Sequence, residues 1–351
     1  MRLAVASVSV LVLLPLAACS DDEPDDARTG GGAGGGHLAD ALAVVPATSE
    51  TVQVVDRSAV AERLGITDAE PDDYSSAIGG DAVGGTELAS YLRVMSDGGA
   101  AFDERDVVWG VSGTAPGGLP FSAYRLDADV DLDQVGDDLA ETGRTEDEVA
   151  GRRHLSGLPT EGTGGYPPTF LDVYLDPDRD LLVTGPGGPE VLSTVDGDQD
   201  SLAGSGTVET LLGDTDDVEL AILGIPARCT GVGGAIGRQL TPDQARALAE
   251  QVDELVAPVA TAYLATAEAD GDGVEELVRL QHADDDAAEA DLEARRAYLD
   301  EGVMIGTGAP FSDIGSVELE RDGSVLQGVL ELERAGGGRL LALNGDGPFV
   351  C

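Results

Sequence analysis

Three histidines are the first residues to test for metal binding or acid–base catalysis, and they stand far apart, at His37, His154 and His282. A zinc site draws its ligands from short, regular spacings, and no second histidine stands near any of the three. Ser112 lies in Trp109-Gly110-Val111-Ser112-Gly113-Thr114, out of step with the Gly-x-Ser-x-Gly turn that exposes a serine nucleophile. A strand running into a turn accounts for it. Gly231-Val232-Gly233-Gly234-Ala235-Ile236-Gly237 falls between a strand and a helix, where backbone N–H groups can cradle a pyrophosphate. Its last glycine comes one residue late and no βαβ unit follows, so a loop is the better reading. Asp270 and Asp272, in Asp270-Gly271-Asp272-Gly273, are the weak metal candidates, offering oxygen ligands to calcium. The calcium-loop count fails at Val274 and at Gln281, where ligands belong, and a turn explains the segment. Asp284-Asp285-Asp286 complements a helix N-terminus better than it makes a glycosidase pair. The expectation is a chain with no catalytic residue, no metal and no cofactor.

Composition narrows the partners. There are 67 acidic residues against 20 basic ones, a formal net charge of −47, and every basic residue is arginine. Such a surface repels phosphate, which excludes nucleic acid, and it keeps the body off anionic lipid. A hydrophobic fraction of 42% is that of a folded chain.

The amino terminus carries an address. Arg2 precedes an apolar run from Leu3 to Leu14, shorter than the ~20 residues a spanning helix needs. The run ends in Leu16-Ala17-Ala18-Cys19, which resembles the lipobox of bacterial lipoproteins. That resemblance implies a signal peptide over 1–18, diacylglycerol on the Cys19 sulfur, and Cys19 as the first residue of a protein held at the extracytoplasmic face of the cell membrane. Two acyl chains of the palmitate kind are enough for stable anchoring. Behind Cys19, the charged stretch from Ser20 to Asp26 and the glycines of Gly30–Gly36 bury nothing, so residues 19–36 read as a flexible tether.

With Cys19 lipidated, Cys229 and Cys351 remain, and in an exported chain an even pair reads most simply as one disulfide. The long loop that it closes is worth roughly 5 kcal/mol in the chain-entropy description.

The body alternates strand and helix patterns. Helical spacing occurs over His37–Val45, and strand patterns over Thr51–Val55, Val107–Gly113 and Phe121–Leu126. Ser58 is expected to cap a short helix through Leu64, Thr67–Thr86 carries little order signal, and Glu87–Met95 reads as a helix. A helix from Asp131 leads to single strands at Glu148–Leu155, Phe170–Leu175 and Leu181–Thr184. Val218–Ile225 is a buried strand, and Thr241-Pro242-Asp243-Gln244 opens a helix as a capping box. Strands at Thr261–Ala269 and Val274–Gln281, a helix to Glu301, and a hairpin turning at Asp322-Gly323 complete the chain. Phe121–Leu155 and Thr261–Glu333 follow the same β, helix, β order, which suggests two related β-α-β subdomains. The predicted fold class is α+β: antiparallel β-sheets with helices packed on one face, in an N-terminal subdomain over 37–215 and a C-terminal one over 216–351. The Pro-Phe-Val-Cys ending and the Leu-Val-Thr-Gly-Pro turn resemble those of actinobacterial exported proteins, a resemblance that implies no activity.

Three function classes stay open. The favoured one is a non-catalytic envelope lipoprotein that binds or scaffolds a protein partner. The others are a carrier of lipid or another apolar ligand, and an enzyme with an unrecognised carboxylate site.

Overall fold

A computed structural model describes residues 37–81, 83–84, 102–157, 171–227, 229, 242–268, 273–304, 308–334 and 336–351. Cys19, the tether, the expected helix at Glu87–Met95, the Gly231–Gly237 loop, and Asp270 and Asp272 lie outside them.

The first half of the body runs α1 (Leu38–Ala43), β1 (Thr51–Asp56), α2 (Arg57–Arg63), α3 (Pro71–Gly80), β2 (Val107–Ala115), β3 (Leu119–Leu126), α4 (Leu132–Glu141), β4 (Thr145–Val149), β5 (Arg152–Ser156), β6 (Asp172–Asp176), β7 (Leu181–Thr184) and α5 (Gly188–Val195). The second half runs α6 (Gly206–Leu212), β8 (Val218–Gly224), α7 (Pro242–Asp253), β9 (Ala260–Ala267), β10 (Val274–Gln281), α8 (Asp285–Glu301), β11 (Gly315–Val317), β12 (Glu320–Asp322), β13 (Val325–Leu332) and α9 (Gly337–Asn344). The described strands form one antiparallel sheet in the order β11-β13-β10-β9-β8-β1-β2-β3-β7-β6-β5-β4, with β12 also on β13. In each half a helix and a strand, then two described helices in the first half and one in the second, precede a hairpin, another helix, and further antiparallel strands of which the last returns beside the hairpin. Thus β7 lies on β3 and β13 on β10. The halves meet where β1 pairs with β8, Val52 opposite Leu223 and Val55 opposite Leu220.

Local chemistry fixes most boundaries. Asp131 and Asp284 cap α4 and α8 by accepting N–H bonds from the first turn. The three-residue β2–β3 turn, Pro116-Gly117-Gly118, closes with Gly118 N donating to Ala115 O at 3.1 Å and needs both glycines at positive φ, 84° and 78°. Three expectations need correction. The cap of α2 is Asp56, which accepts from Ala59 N at 3.0 Å, while Ser58 Oγ donates to Val108 O. The single strand expected at Glu148–Leu155 folds back at Ala150 and Gly151, both in the left-handed region, giving β4 and β5. The stretch thought to lack order holds α3, which starts at Pro71 and buries Tyr74 and Ile78 one turn apart.

The α+β class and the antiparallel pairing are as the residue pattern predicts, but the strands join in one sheet and the helices expected on one face cover parts of both. All seven residues of β8 are buried, so neither side of the central strands meets water. The front face places Val55, Ile222, Tyr263, Val278 and Leu326 under α2, α3, α7, α8 and α9. Farther along the same face, Tyr124, Leu175 and Leu182 pack against Leu132, Val135 and Leu139 of α4. The back face gathers Val54, Val111, Ala123, Val183, Ala221 and Leu264 under α1, α5 and α6. No helix of the described residues is long and apolar enough to cross a membrane.

Candidate binding face

The closing helices of the two halves decide which part of the sheet stays open. Helix α5 begins at Gly188, where an added Cβ would stand 2.3 Å from the Tyr174 ring, so only glycine lets the helix lie that close. Val191 and Leu192 are fully buried against the back face. Arg152, bonded to Asp176, also reaches Asp196 just past the end of α5 and holds that end down.

Helix α9 makes the same approach on the opposite face. A Cβ on Gly338 would meet Tyr263 Cε2 at 2.6 Å and Glu276 Oε2 at 2.4 Å. Glu276, 4% exposed, accepts from Gly338 N at 3.0 Å, from Gly336 N and from the Tyr263 hydroxyl at 3.0 Å. A buried carboxylate must find donors, and the free N–H groups of a helix start supply them. Glu276 sits on the front face in register with Val278 and Leu280, so α9 is drawn there. Burial, then the neighbouring carboxylate, pushes the Tyr263 hydroxyl well above its usual range and keeps it a neutral donor.

The back face of β10, β11 and β13 therefore lies open beside α6 as a groove of about 680 Å³. Its floor includes Leu277 and Val329, the latter 42% exposed. Its rim carries Glu318, Glu320 and Glu331. Glu331 accepts from Ser316 Oγ at 3.1 Å, whereas Glu318 and Glu320 are exposed and make no ion pair among the described residues. Arg279, the cation of the groove, is half-buried and donates to the carbonyls of Leu211 and Leu212 at the end of α6. Burial pulls its pKa below the usual value, with Asp214 opposing, but a guanidinium stays charged. A second recess of about 560 Å³ continues past Arg279 to Asp214, Asp285 and Asp322.

The residues singled out in the sequence are placed elsewhere and apart from one another. His37 Nδ1 lies 3.2 Å from Asp56 Oδ1. His154 stacks on Tyr174 at 4.4 Å and sits between Asp147 and Asp172, 2.6 and 3.0 Å from its two ring nitrogens. Burial, with those carboxylates and Glu190, pushes the Tyr174 hydroxyl up to about 12. His282 is buried with Nε2 3.2 Å from Asp291 Oδ2. Ser112 lies within the sheet ladder, opposite Gln53 and Ser122. Among the described residues no three His, Cys, Asp or Glu side chains converge as a metal site.

Cys229 and Cys351 are brought together, S–S 2.08 Å and Cα–Cα 4.8 Å. The same tail is held by Arg295, wholly buried, which donates to Pro348 O at 2.9 Å and Val350 O at 2.8 Å and pairs with Asp291 at 2.7 Å. Burial raises the Asp291 carboxyl, but His282 and Arg295 outweigh it and hold the group below the usual carboxylate range. Sequence reasoning passed over Arg295, Asp291 and Glu276. The available signal was a charge on an apolar stripe, Glu276 with Val278 and Leu280, and Asp291 and Arg295 with Ala288 and Tyr298.

No family model matches the sequence, and no curated protein matches it. Among solved structures the chain is similar to crystal form III of TP0453, at 11% identity and a TM-score of 0.42, over 84% of this chain and 95% of that one. Crystal form I matches at 8% identity and a TM-score of 0.41, over 87% and 96% of the two chains. Crystal form IV matches at 10% and 0.41, over 86% and 99%.

Proposed function

We propose that the protein is a lipid-anchored, extracytoplasmic lipoprotein with a non-catalytic role, binding a protein partner through the open back face of its second half. The observation that carries this reading is the groove itself. Among the described residues β7 and β8 are buried on both faces, and Val329 is left in water where Val183, on the matching strand of the first half, is fully covered. The anchor part of the reading rests on Arg2, the Leu3–Leu14 run and Leu16–Cys19, with residues 19–36 as spacer.

Two measurements test it. Intact mass of the membrane-extracted protein should show a chain starting at an acylated Cys19, and Cys19→Ala should leave the signal peptide in place; an unmodified amino terminus in the medium overturns the anchor. A photo-crosslinking side chain at position 327 should give one adduct of fixed mass in cells, lost on Val329→Arg. Adducts that persist in Val329→Arg, or that form equally from position 148 on β4, would place the contact elsewhere. A lipid adduct in native mass spectrometry would favour the carrier reading instead.

A further inference from the structure

We infer that the partner enters the groove as a cationic amphipathic helix, with an apolar stripe on Leu277 and Val329 and Arg or Lys side chains toward Glu318, Glu320 and Glu331. This deepens the proposed function and rests on it.

The shape of the occupant comes from the molecule's own repetition. In the first half, the back face of β3, β6 and β7 is filled by a helix of the same chain, α5. The corresponding strands of the second half, β10, β11 and β13, line the groove, and their own closing helix is held on the other face by Glu276. A surface built to the same plan, with the same antiparallel pairing and with Leu277 and Val329 in its floor, fits a helix of about the length of α5.

The charge of the occupant comes from the rim. Three carboxylates surround the floor, and the one arginine among the lining residues turns its Nη1 to the carbonyls ending α6. The tether and a second copy are poor candidates for the place. Ser20–Asp26 adds five acidic side chains and a proline with no apolar stripe, and a second copy brings another net −47. Opposite charge on the partner relieves the repulsion on the rim and speeds encounter.

The test uses the full-length protein in detergent and fluorescent helical peptides with a Leu/Val stripe, flanked by Arg, Gln or Glu, plus a scrambled Arg peptide. Anisotropy should show the Arg helix bound at least tenfold more tightly than the Gln helix. Glu318→Gln with Glu320→Gln should weaken it roughly tenfold and flatten its salt dependence. Val329→Arg should abolish binding with an unchanged melting temperature, and Glu148→Gln with Asp178→Asn, exposed elsewhere, should change nothing. If the scrambled peptide binds as well and Glu318→Gln with Glu320→Gln has no effect, the cationic inference is wrong. Tighter binding of the Gln or Glu helix, still abolished by Val329→Arg, keeps the open face as a binding site and overturns only the charge. No binding by any peptide, with crosslinks from position 327 also absent, overturns both.

Discussion

Each half of the sheet closes with a helix whose first turn lays a glycine against a tyrosine ring, Gly188 over Tyr174 and Gly338 over Tyr263, yet the two helices lie on opposite faces. The first pair is apolar packing with an arginine clamp at the helix end. The second has one further ingredient, Glu276, buried beside the ring and supplied with donors by Gly336 and Gly338. A single carboxylate on the inner side of a strand thus has two effects at once: it recruits a helix start to the front and leaves the back of the same strands exposed. The second half also secures its end by means the first lacks among the described residues, a disulfide and a buried Arg295–Asp291 pair.

The largest expected effect separates the halves by their fastening. Reducing Cys229–Cys351, which spans a sequence separation of 122, should lower stability by up to about 5 kcal/mol on chain-entropy grounds. Hydrogen exchange should then rise first in α9 and residues 346–351, with β2 and β3 still protected; uniform loosening would dissolve the distinction between the halves. Next, Asp291→Asn should cost about 3–5 kcal/mol at neutral pH, because it leaves Arg295 buried without its counter-charge. The wild-type carboxyl has a depressed folded pKa. Its stabilisation is therefore fully present above the unfolded value of about 4 and is lost as pH falls through the folded value. Melts from pH 7 to pH 3 should show the wild type losing its advantage over the variant only in acid.

Glu276→Ala should cost about 3 kcal/mol, since three donors lose their acceptor, and should raise amide exchange in α9 without touching α5. Equal changes in both helices would mean that Glu276 does not decide where α9 packs. The smallest contrast is the most direct. Val183→Ala, under α5, should destabilise by about 1–2 kcal/mol, while Val329→Ala, in the groove, should stay within about 0.5 kcal/mol. Matching losses at both sites would show that Val329 is buried in solution, and the groove closed.

Much of the frame was legible because it is written in local signals. The Gly117-Gly118 turn, the Asp131 and Asp284 caps and the apolar run of β8 each declare themselves within a few residues. The same holds for Pro242, at the start of α7. What stayed hidden depends on partners distant in the chain. Ser58 looks as good a cap as Asp56 until β2 is beside it to take the serine hydroxyl. Helix α9 is short, glycine-led and weakly patterned, and its reason to form, Glu276, lies 60 residues away. The open groove could not be read at all, because it is the result of α9 choosing one face. The histidines drew attention by residue type, yet each ended in its own carboxylate contact, far from the others.

The seam between β1 and β8 also fixes how the molecule bears load. A pull arriving at residue 37 meets Asp56 first, through the His37 N–H at 3.0 Å, and Asp56 ends the strand at the middle of the sheet. From there to the groove the force crosses β8, β9 and β10 to reach β13, strand by strand, through backbone ladders. A pull applied between residue 37 and the groove is thus carried by hydrogen-bonded rungs in series, and the weakest ladder among them sets the force at which the hold fails.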